Sequence, residues 1–155
     1  MSTTPVSATL HRAWAADLTP ARLYELLQLR IAVFVIEQNC PYPELDGRDL
    51  ESATRHFWVD PEPGTELPQA YLRLLEERDG SFRIGRVCTA PWARGRGLSR
   101  RLMEAALVEV GRKPCVLDSQ VQVTGLYAAF GFAPDGEEFM EDGIPHITMR
   151  RGDSR

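Results

Sequence analysis

The chain has 155 residues, of which 43% are hydrophobic, and its 18 basic and 22 acidic side chains give a formal net charge of −4. This length suits a single domain over residues 1–155 that buries about two thirds of its unfolded surface. The acidic balance argues against a general nucleic-acid-binding protein, which usually has a basic domain.

The three cysteines have no Cys-x-x-Cys spacing, which argues against a disulfide framework or a zinc site. No apolar run approaches the ~18 residues of a membrane span, and no signal-peptide pattern is evident. We therefore expect a cytoplasmic protein with no metal, no membrane partner and no nucleic-acid partner.

The first part of the chain predicts a strand over residues 8–14 and then a helix. Thr19 and Pro20 suit the N-cap and the first helical position, where the missing N–H of proline costs nothing. Apolar residues at helical spacing predict that this helix continues to about Val35. Two prolines, at positions 41 and 43, exclude its further continuation.

Five carboxylates and one arginine lie between Glu37 and Glu51. This stretch is either a solvated loop with a short helix or an acidic wall that attracts a cationic amine. In the second interpretation Glu44, Asp46 and Asp49 bind the substrate. Cys40 has no visible paired base and is interpreted as a packing thiol.

The remaining elements predict a mixed sheet covered by helices. A tight turn at Asp79-Gly80 should join two antiparallel strands, and Gly85 suggests a bulge or a close backbone approach. The strand after the next helix should run parallel to the one before it. The predicted strands are 56–59, 69–75, 81–89, 115–119 and a final hairpin of 132–139 with 144–149; a loop covers 60–68 and a short helix 124–130.

The most informative stretch, Arg94-Gly95-Arg96-Gly97-Leu98-Ser99, follows the strand that ends at Thr89 and opens an amphipathic helix. The first N–H groups of a helix have no intrahelical partner, and the helix dipole favours negative charge there. Glycine permits a tight turn, and arginine suits phosphate oxygens. No acidic residue occurs between Gly80 and Met103, so the positive charge is local. This predicts a pyrophosphate loop; the alternative is a Gly/Arg turn that caps an ordinary helix.

Two better-known phosphate loops are excluded. The only lysine, Lys113, lies far from this loop, whereas a P-loop requires one within it. Arg100 stands where a dinucleotide fingerprint requires its third glycine. The remaining pattern, Arg/Gln-x-x-Gly-x-Gly/Ala, resembles the pyrophosphate loop of the GNAT superfamily of N-acetyltransferases, with Ser99 at the last small position.

Further segments, in the expected order over nearly the whole chain, are similar to the ElaA family within this superfamily. They are residues 23–42, 46–50, 55–56, 127–132 and 141–146. The resemblance implies a GNAT-type acyl-CoA N-acyltransferase fold. Its central sheet is mixed and mostly antiparallel, is flanked by helices, and splays between the strands ending near Thr89 and starting near Cys115.

The same resemblance implies acetyl-CoA as cosubstrate. Its pantetheine arm would enter the gap and pair with the backbone of Val87 and Thr89 in the manner of an added strand. The residues expected to bind it are Val87, Cys88, Thr89, Arg94, Gly95, Arg96, Gly97, Leu98, Ser99 and Tyr127. Gly125 stands where members of the superfamily often have a cofactor-binding asparagine.

Acyl transfer to an amine requires a base, a donor for the thioester oxygen and an acid for the thiolate. The resemblance implies Tyr127 as the acid; the alternative is a buried tyrosine with one hydrogen bond. An N–H freed by a bulge near Val87 or Cys88 could supply the donor. The sequence does not identify the base. It could be a water chain or one of five side chains: Glu37, Asp46, His56, Glu141 and His146. Of these side chains, we retain Glu37 and His146 as catalytic candidates.

The sequence thus predicts an N-acetyltransferase that moves the acetyl group of acetyl-CoA to a primary amine of a small molecule, polyamine or peptide. Direct attack in a ternary complex is favoured, since no nucleophile and base are visibly paired. The chain is expected to act as a monomer or homodimer. The alternative is a non-catalytic acyl-CoA-binding or sensing module.

Overall fold

A computed structural model describes residues 8–61 and 67–152. The centre of the predicted loop at 60–68 therefore lies outside the described residues. The α-helices are α1 (Pro20–Arg30), α2 (Leu98–Val110) and α3 (Thr124–Ala128), and a π-helix covers Ile31–Glu37. The strands are β1 (Thr9–Trp14), β2 (Arg55–Asp60), β3 (Ala70–Glu76), β4 (Phe82–Thr89), β5 (Cys115–Gln120), β6 (Ala133–Pro134), β7 (Phe139–Glu141) and β8 (Ile144–Arg151).

These strands form one sheet in the order β1-β2-β3-β4-β5-β8-β6, and β7 also pairs with β8. Every pairing is antiparallel except that of β4 with β5, which is parallel. The hairpin turn at Asp79-Gly80 is confirmed: Gly80 has a φ of 89°, and the amide of Glu77 donates to Ser81 across the turn. The mixed, mostly antiparallel sheet confirms the predicted fold.

The sheet opens between β4 and β5. The two strands pair near their starts, Phe82 with Cys115 and Arg83 with Val116, and then separate toward Thr89 and Gln120. This splay confirms the gap that the sequence predicted. Because the separated edges no longer bond to one another, each leaves backbone groups directed into the gap.

The first helix begins as predicted but ends differently. The side chain of Thr19 accepts a hydrogen bond from the amide of Arg22 at 3.1 Å, and Pro20 occupies the first helical position. After Arg30 the helix changes to π geometry and extends two residues past the predicted end at Val35. The amide of Cys40 donates to the carbonyl of Val35 at 3.0 Å, a five-residue spacing typical of a π turn.

The strand predicted over residues 132–139 is wrong as a continuous element. It consists of β6 and β7, which pair separately with β8. Pro134 lacks an N–H for the ladder, and Gly136 has a φ of 118°, so the chain leaves the sheet between them. The helix predicted over 124–130 ends at Ala128.

The core lies between the sheet and the two long helical segments. Leu26 and Leu29 of α1 are buried against it. Helix α2 contributes one apolar stripe: Leu98, Leu102, Met103, Ala106, Leu107 and Val110. This packing holds the N-terminus of α2 at the open end of β4, next to the gap. In residues 8–61 and 67–152, no helix combines the length and apolar character needed to cross a bilayer.

Candidate active site

The gap between β4 and β5 widens into a cleft of about 780 Å³. All the residues predicted to bind the cofactor line this cleft, except Arg96. The other walls come from the π-helix, from residues 38–46, from the ends of β5 and α3, and from the β7–β8 turn. One concavity therefore collects segments that are far apart in the sequence.

The Gly/Arg loop has the geometry of an anion site. Gly95 and Gly97 have φ values of 82° and 73°, which favour glycine. Gly97 is the N-cap of α2, and the first helical hydrogen bond runs from the amide of Arg101 to its carbonyl. No atom lies within 4 Å of a Cβ built at either glycine, so there is room above the free amides of the first turn.

Ser99 connects this loop to the adjacent strand. Its Oγ lies 2.8 Å from Oγ1 of Thr89, and both residues line the cleft. The hydroxyl is thereby held against β4 rather than left free at the position where the family pattern has glycine or alanine. The amides of the first helical turn remain directed to the cleft.

Arg94 is held by a partner that the sequence did not reveal. Its two terminal nitrogens each donate to a carboxylate oxygen of Glu37 at 2.6 Å, and Nε donates to the carbonyl of Thr89 at 3.1 Å. The hydrogen bond from Arg94 lowers the pKa of Glu37. This argues against Glu37 as a catalytic base, because both its oxygens are occupied and its carboxylate is a weakened proton acceptor.

The bulge that Gly85 suggested is confirmed in β4. Tyr71 pairs with Cys88 and Arg73 with Gly85, so Arg86 and Val87 together face one residue of β3. The left-handed conformation is at Arg86, whose φ is 55°, and not at Gly85. A Cβ built at Gly85 would lie 3.8 Å from Nε of Arg73, an ordinary contact, so the site does not require glycine for space.

Tyr127 lies on α3 and faces the cleft. Only 8% of the residue is exposed, and its ring meets Phe132 edge-on with centroids 6.4 Å apart. Burial raises the pKa of Tyr127 to about 12. Its hydroxyl makes no hydrogen bond with any other described residue, so the alternative of a tyrosine with a fixed internal partner does not describe it.

Neither interpretation of the acidic stretch, a solvated loop or an acidic wall open to an amine, describes its two buried carboxylates. Glu44 and Asp49 are only 4% and 6% exposed. Glu44 accepts from Nε of Arg30 at 2.6 Å and from Nε of Arg86 at 2.9 Å. Asp49 accepts from Arg30 at 2.6 Å and from Arg73 at 3.0 Å.

Asp46 belongs to the same ion-pair network. It accepts from the two terminal nitrogens of Arg73, and its oxygen lies 3.5 Å from Nη2 of Arg86. Although burial opposes the change, hydrogen bonds from Arg73 hold the pKa of Asp46 far below its usual range. Three arginines thus neutralise the three carboxylates predicted to bind an amine. Sequence reasoning missed this because the arginines come from α1, β3 and β4.

Of the two histidine candidates, only His146 lies in the cleft. His56 is 0% exposed, with Nδ1 2.6 Å from the hydroxyl of Tyr71 and Nε2 3.0 Å from the carbonyl of Asp49. Burial lowers the pKa of His56. A fully buried ring with both nitrogens bonded cannot reach a substrate, so His56 is structural.

His146 is the third residue of β8, close to the β7–β8 turn. Its Nδ1 lies 2.8 Å from the carbonyl of Ile144, and because a carbonyl only accepts, the proton is on Nδ1. In a neutral ring with this tautomer Nε2 carries the lone pair; it lies 3.6 Å from an oxygen of Glu141. The ring stacks on Phe139 with centroids 6.0 Å apart, which fixes its orientation.

Cys40 joins two walls of the cleft. Its thiol donates to the carbonyl of Asp142 at 3.2 Å and connects residues 38–46 to the β7–β8 turn. This agrees with the interpretation of Cys40 as a packing thiol. Among the described residues, no group of three or more His, Cys, Asp or Glu side chains is placed to hold a metal ion.

Comparisons with known proteins agree with this geometry. A family model described as "Acetyltransferase (GNAT) domain" matches residues 66–152. A UPF0039 protein of Mycobacterium tuberculosis is 54% identical over 149 residues, which are 94% of either chain. The crystal structure of an acyl-CoA N-acyltransferase from Pseudomonas aeruginosa is 43% identical with a TM-score of 0.87, covering 94% of this chain and 100% of that one. The crystal structure of Escherichia coli ElaA is 37% identical with a TM-score of 0.85, covering 94% of this chain and 99% of that one.

Proposed function

We propose that this chain, which belongs to the ElaA family of GNAT acetyltransferases, transfers the acetyl group of acetyl-CoA to a primary amine. Family membership supports acyl transfer from an acyl-CoA. That the donor is acetyl-CoA and that the acceptor is a primary amine go beyond family membership and are our proposal. The observation that carries it is the presence of an anion loop, a β-bulge and an uncommitted tyrosine hydroxyl in one cleft.

The anion loop would hold the pyrophosphate of the cosubstrate. The amides of Leu98, Ser99 and Arg100 start α2 and have no helical partner. Arg100 lines the cleft as well, while Arg94 becomes available to phosphate only when its pair with Glu37 opens. The acyl arm would follow the free edge of β4 at Val87 to Thr89.

The reaction needs hydrogen-bond donors at two points, the thioester oxygen and the departing sulfur. An amide of the β4 bulge, near Val87 or Cys88, would donate to the oxygen. Tyr127 would donate to the sulfur, because its raised pKa keeps the hydroxyl protonated at neutral pH and no described residue occupies it. No covalent enzyme intermediate is needed, and the amine attacks the acetyl group directly.

We assign the base to His146. In the neutral ring with its proton on Nδ1, shared with Ile144, Nε2 can accept a proton from the acceptor's ammonium group, and the neutral amine that results attacks the acetyl carbonyl. Glu141 lies 3.6 Å away and provides a counter-charge for the imidazolium that forms. The acceptor would then approach past the β7–β8 turn, where Glu141 and Asp142 line the cleft, rather than past the neutralised network of Glu44, Asp46 and Asp49.

The deciding experiment is a screen for acetyl-CoA-dependent release of free thiol with amines, polyamines and N-terminal or lysine-containing peptides. Release with at least one amine, together with mass-spectrometric detection of the acetylated amine, supports the proposal. His146→Gln should lower kcat, and the loss should shrink as the pH rises and more of the amine is already deprotonated. Tight acetyl-CoA binding without transfer to any acceptor would instead support the binding-module alternative.

A further inference from the structure

The strained residue of the β4 bulge is an arginine where glycine would be easier to accommodate. Arg86 has a φ of 55°, and it is the first of the two residues that face a single residue of β3. A left-handed residue at that bulge position is usually glycine. Such strain persists only where the surrounding structure holds it, and it concentrates at functional sites. The side chain of Arg86 must therefore do something that glycine could not.

That side chain is anchored outside the sheet. Nε donates to the carboxylate of Glu44 at 2.9 Å, and Nη2 donates to the carbonyl of the same residue at 3.0 Å. Its guanidinium carbon also lies 6.0 Å from the ring centroid of Tyr42. Two hydrogen bonds to one residue fix both the position and the plane of the guanidinium.

The anchor is itself rigid. Glu44 is 4% exposed and also accepts from Nε of Arg30 at 2.6 Å, while Arg30 is 0% exposed at the end of α1. Tyr42 donates its hydroxyl to the second oxygen of Glu44. The bulge is thus connected through Glu44 to Arg30 at the buried end of α1, and not to an exposed side chain.

We propose that Arg86 is a positioning residue that, through Glu44, holds the β4 bulge so that its backbone amide points at the thioester oxygen of the acyl donor. This inference rests on the proposed function, because the amide matters only if an acyl-CoA occupies the cleft. Arg86 touches neither the acyl group nor the acceptor in this role. It acts on the orientation of the amide near Val87 and Cys88.

A purely structural role predicts a different behaviour. If Arg86 only neutralises Glu44, then Arg86→Gly relieves the backbone strain, leaves Glu44 bonded to Arg30 and Tyr42, and alters stability but not the thioester environment. If Arg86 positions the bulge, the same variant keeps acetyl-CoA bound through the phosphate loop while the carbonyl loses its oriented donor. The carbonyl stretching frequency separates these cases, since a hydrogen bond to the oxygen lowers it.

The test is infrared difference spectroscopy of acetyl-CoA labelled with carbon-13 at the acetyl carbonyl, bound to wild type, Arg86→Gly and Arg86→Lys. We expect the wild-type band to be low and narrow, the Arg86→Gly band to shift up and broaden, and the Arg86→Lys band to lie between them. Arg83→Gln is the matched control, since Arg83 lies on the same strand, pairs with Glu77 and Asp118, and does not line the cleft.

A kinetic measurement without any acceptor amine complements the spectra. In slow hydrolysis, water attacks the acetyl carbonyl, the carbon–sulfur bond breaks, and acetate and CoA leave with one proton released. We expect its rate constant at saturating acetyl-CoA to fall about tenfold or more in Arg86→Gly, with the acetyl-CoA Kd close to wild type. Added methylguanidine should restore part of the rate.

The outcomes separate the two proposals. If wild type binds no acetyl-CoA, the proposed function fails. If wild type binds it and Arg86→Gly retains the wild-type band and hydrolysis rate, the positioning role is overturned and the proposed function stands. Should Arg86→Gly fail to fold, Arg86→Lys and Arg86→Asn, which tolerates a left-handed conformation, decide the question by the same two measurements.

Discussion

Arg94, which lines the cleft, forms a bidentate ion pair with Glu37, with both nitrogen–oxygen distances at 2.6 Å. Glu37 ends the π-helix, and Arg94 opens the loop proposed to hold pyrophosphate. The pair is partly exposed, with side-chain exposures of 38% and 45%, so its net stabilisation is small. An incoming phosphate would compete with Glu37 for the same guanidinium.

We therefore expect Glu37→Gln to bind acetyl-CoA more tightly. Glutamine keeps the length of the side chain but removes its negative charge, so phosphate no longer competes with a carboxylate for Arg94. Because an exposed ion pair contributes up to about 1 kcal/mol, the affinity for acetyl-CoA should rise by at most about fivefold. Calorimetric titration at low and high salt measures this gain, which should shrink as salt screens the pair. Glu51→Gln is the control, since Glu51 pairs with Arg48 away from the cleft. Weaker binding by Glu37→Gln would show that Glu37 orders the loop instead.

Gly97→Asp should abolish most acetyl-CoA binding, and Gly97→Asn should retain much of it. Asp and Asn both adopt a φ near 73° more readily than other side chains, and no atom lies within 4 Å of a Cβ built here, so the two near-isosteric variants differ mainly in charge. A carboxylate near a phosphate opposes it by about 4 kcal/mol at 4 Å and an effective dielectric constant of 20, which corresponds to a loss of roughly a thousandfold. Calorimetry on the two folded variants checks the difference; equal affinities would place the phosphates elsewhere.

Tyr127→Phe should bind acetyl-CoA as wild type does and turn it over more slowly. The substitution keeps the ring against Phe132 and removes the hydroxyl, which is the only hydrogen-bond donor of this side chain. Loss of an acid typically lowers kcat by roughly a hundredfold. The comparison requires single-turnover rates, so that product release does not mask the chemical step. An unchanged rate would reject the acid role while leaving the cofactor site intact.

Asp49→Asn should lower the free energy of unfolding at neutral pH and make it less dependent on pH in the acid range. Although burial opposes the change, the hydrogen bond from Arg30 holds the pKa of Asp49 below that of an ordinary aspartate. In the wild type, the ionised carboxylate of Asp49 thus stabilises the folded protein above about pH 4, and this stabilisation is lost as the pH falls through the pKa of the folded state. Breaking a buried pair costs about 3 kcal/mol or more. Urea unfolding between acid and neutral pH measures the two curves, with Asp135→Asn, an exposed carboxylate, as control.

Gly125→Asn should fold and strengthen acetyl-CoA binding. A Cβ at this position meets no atom within 4 Å, and its φ lies outside the left-handed region. The asparagine would restore the side chain that related acetyltransferases often place there for the cofactor. Gly125→Ala separates any helix-stabilising effect from a new hydrogen bond. If asparagine and alanine give the same affinity, the position has no direct role in binding.

Local sequence was sufficient for the features that depend on neighbouring residues. The Thr19 cap, the Asp79-Gly80 turn and the Gly/Arg loop before α2 all follow from short-range geometry, and the structure confirms each of them. The splay of β4 and β5 was predicted through the family resemblance rather than from the residues themselves. These features place a Gly-rich loop at the start of α2 beside a gap in the sheet.

Only the tertiary structure decided how the charges are used. Glu44 meets Arg86 across 42 residues of sequence, and Glu37 meets Arg94 across 57. Such pairs depend on which strands become neighbours, and no local pattern of charge encodes that. The acidic stretch therefore looked like a free surface, although folding buries Glu44 against two arginines. The sequence likewise did not predict the left-handed conformation of Arg86. That conformation is held by contacts from a distant loop and not by the residue's own backbone preference.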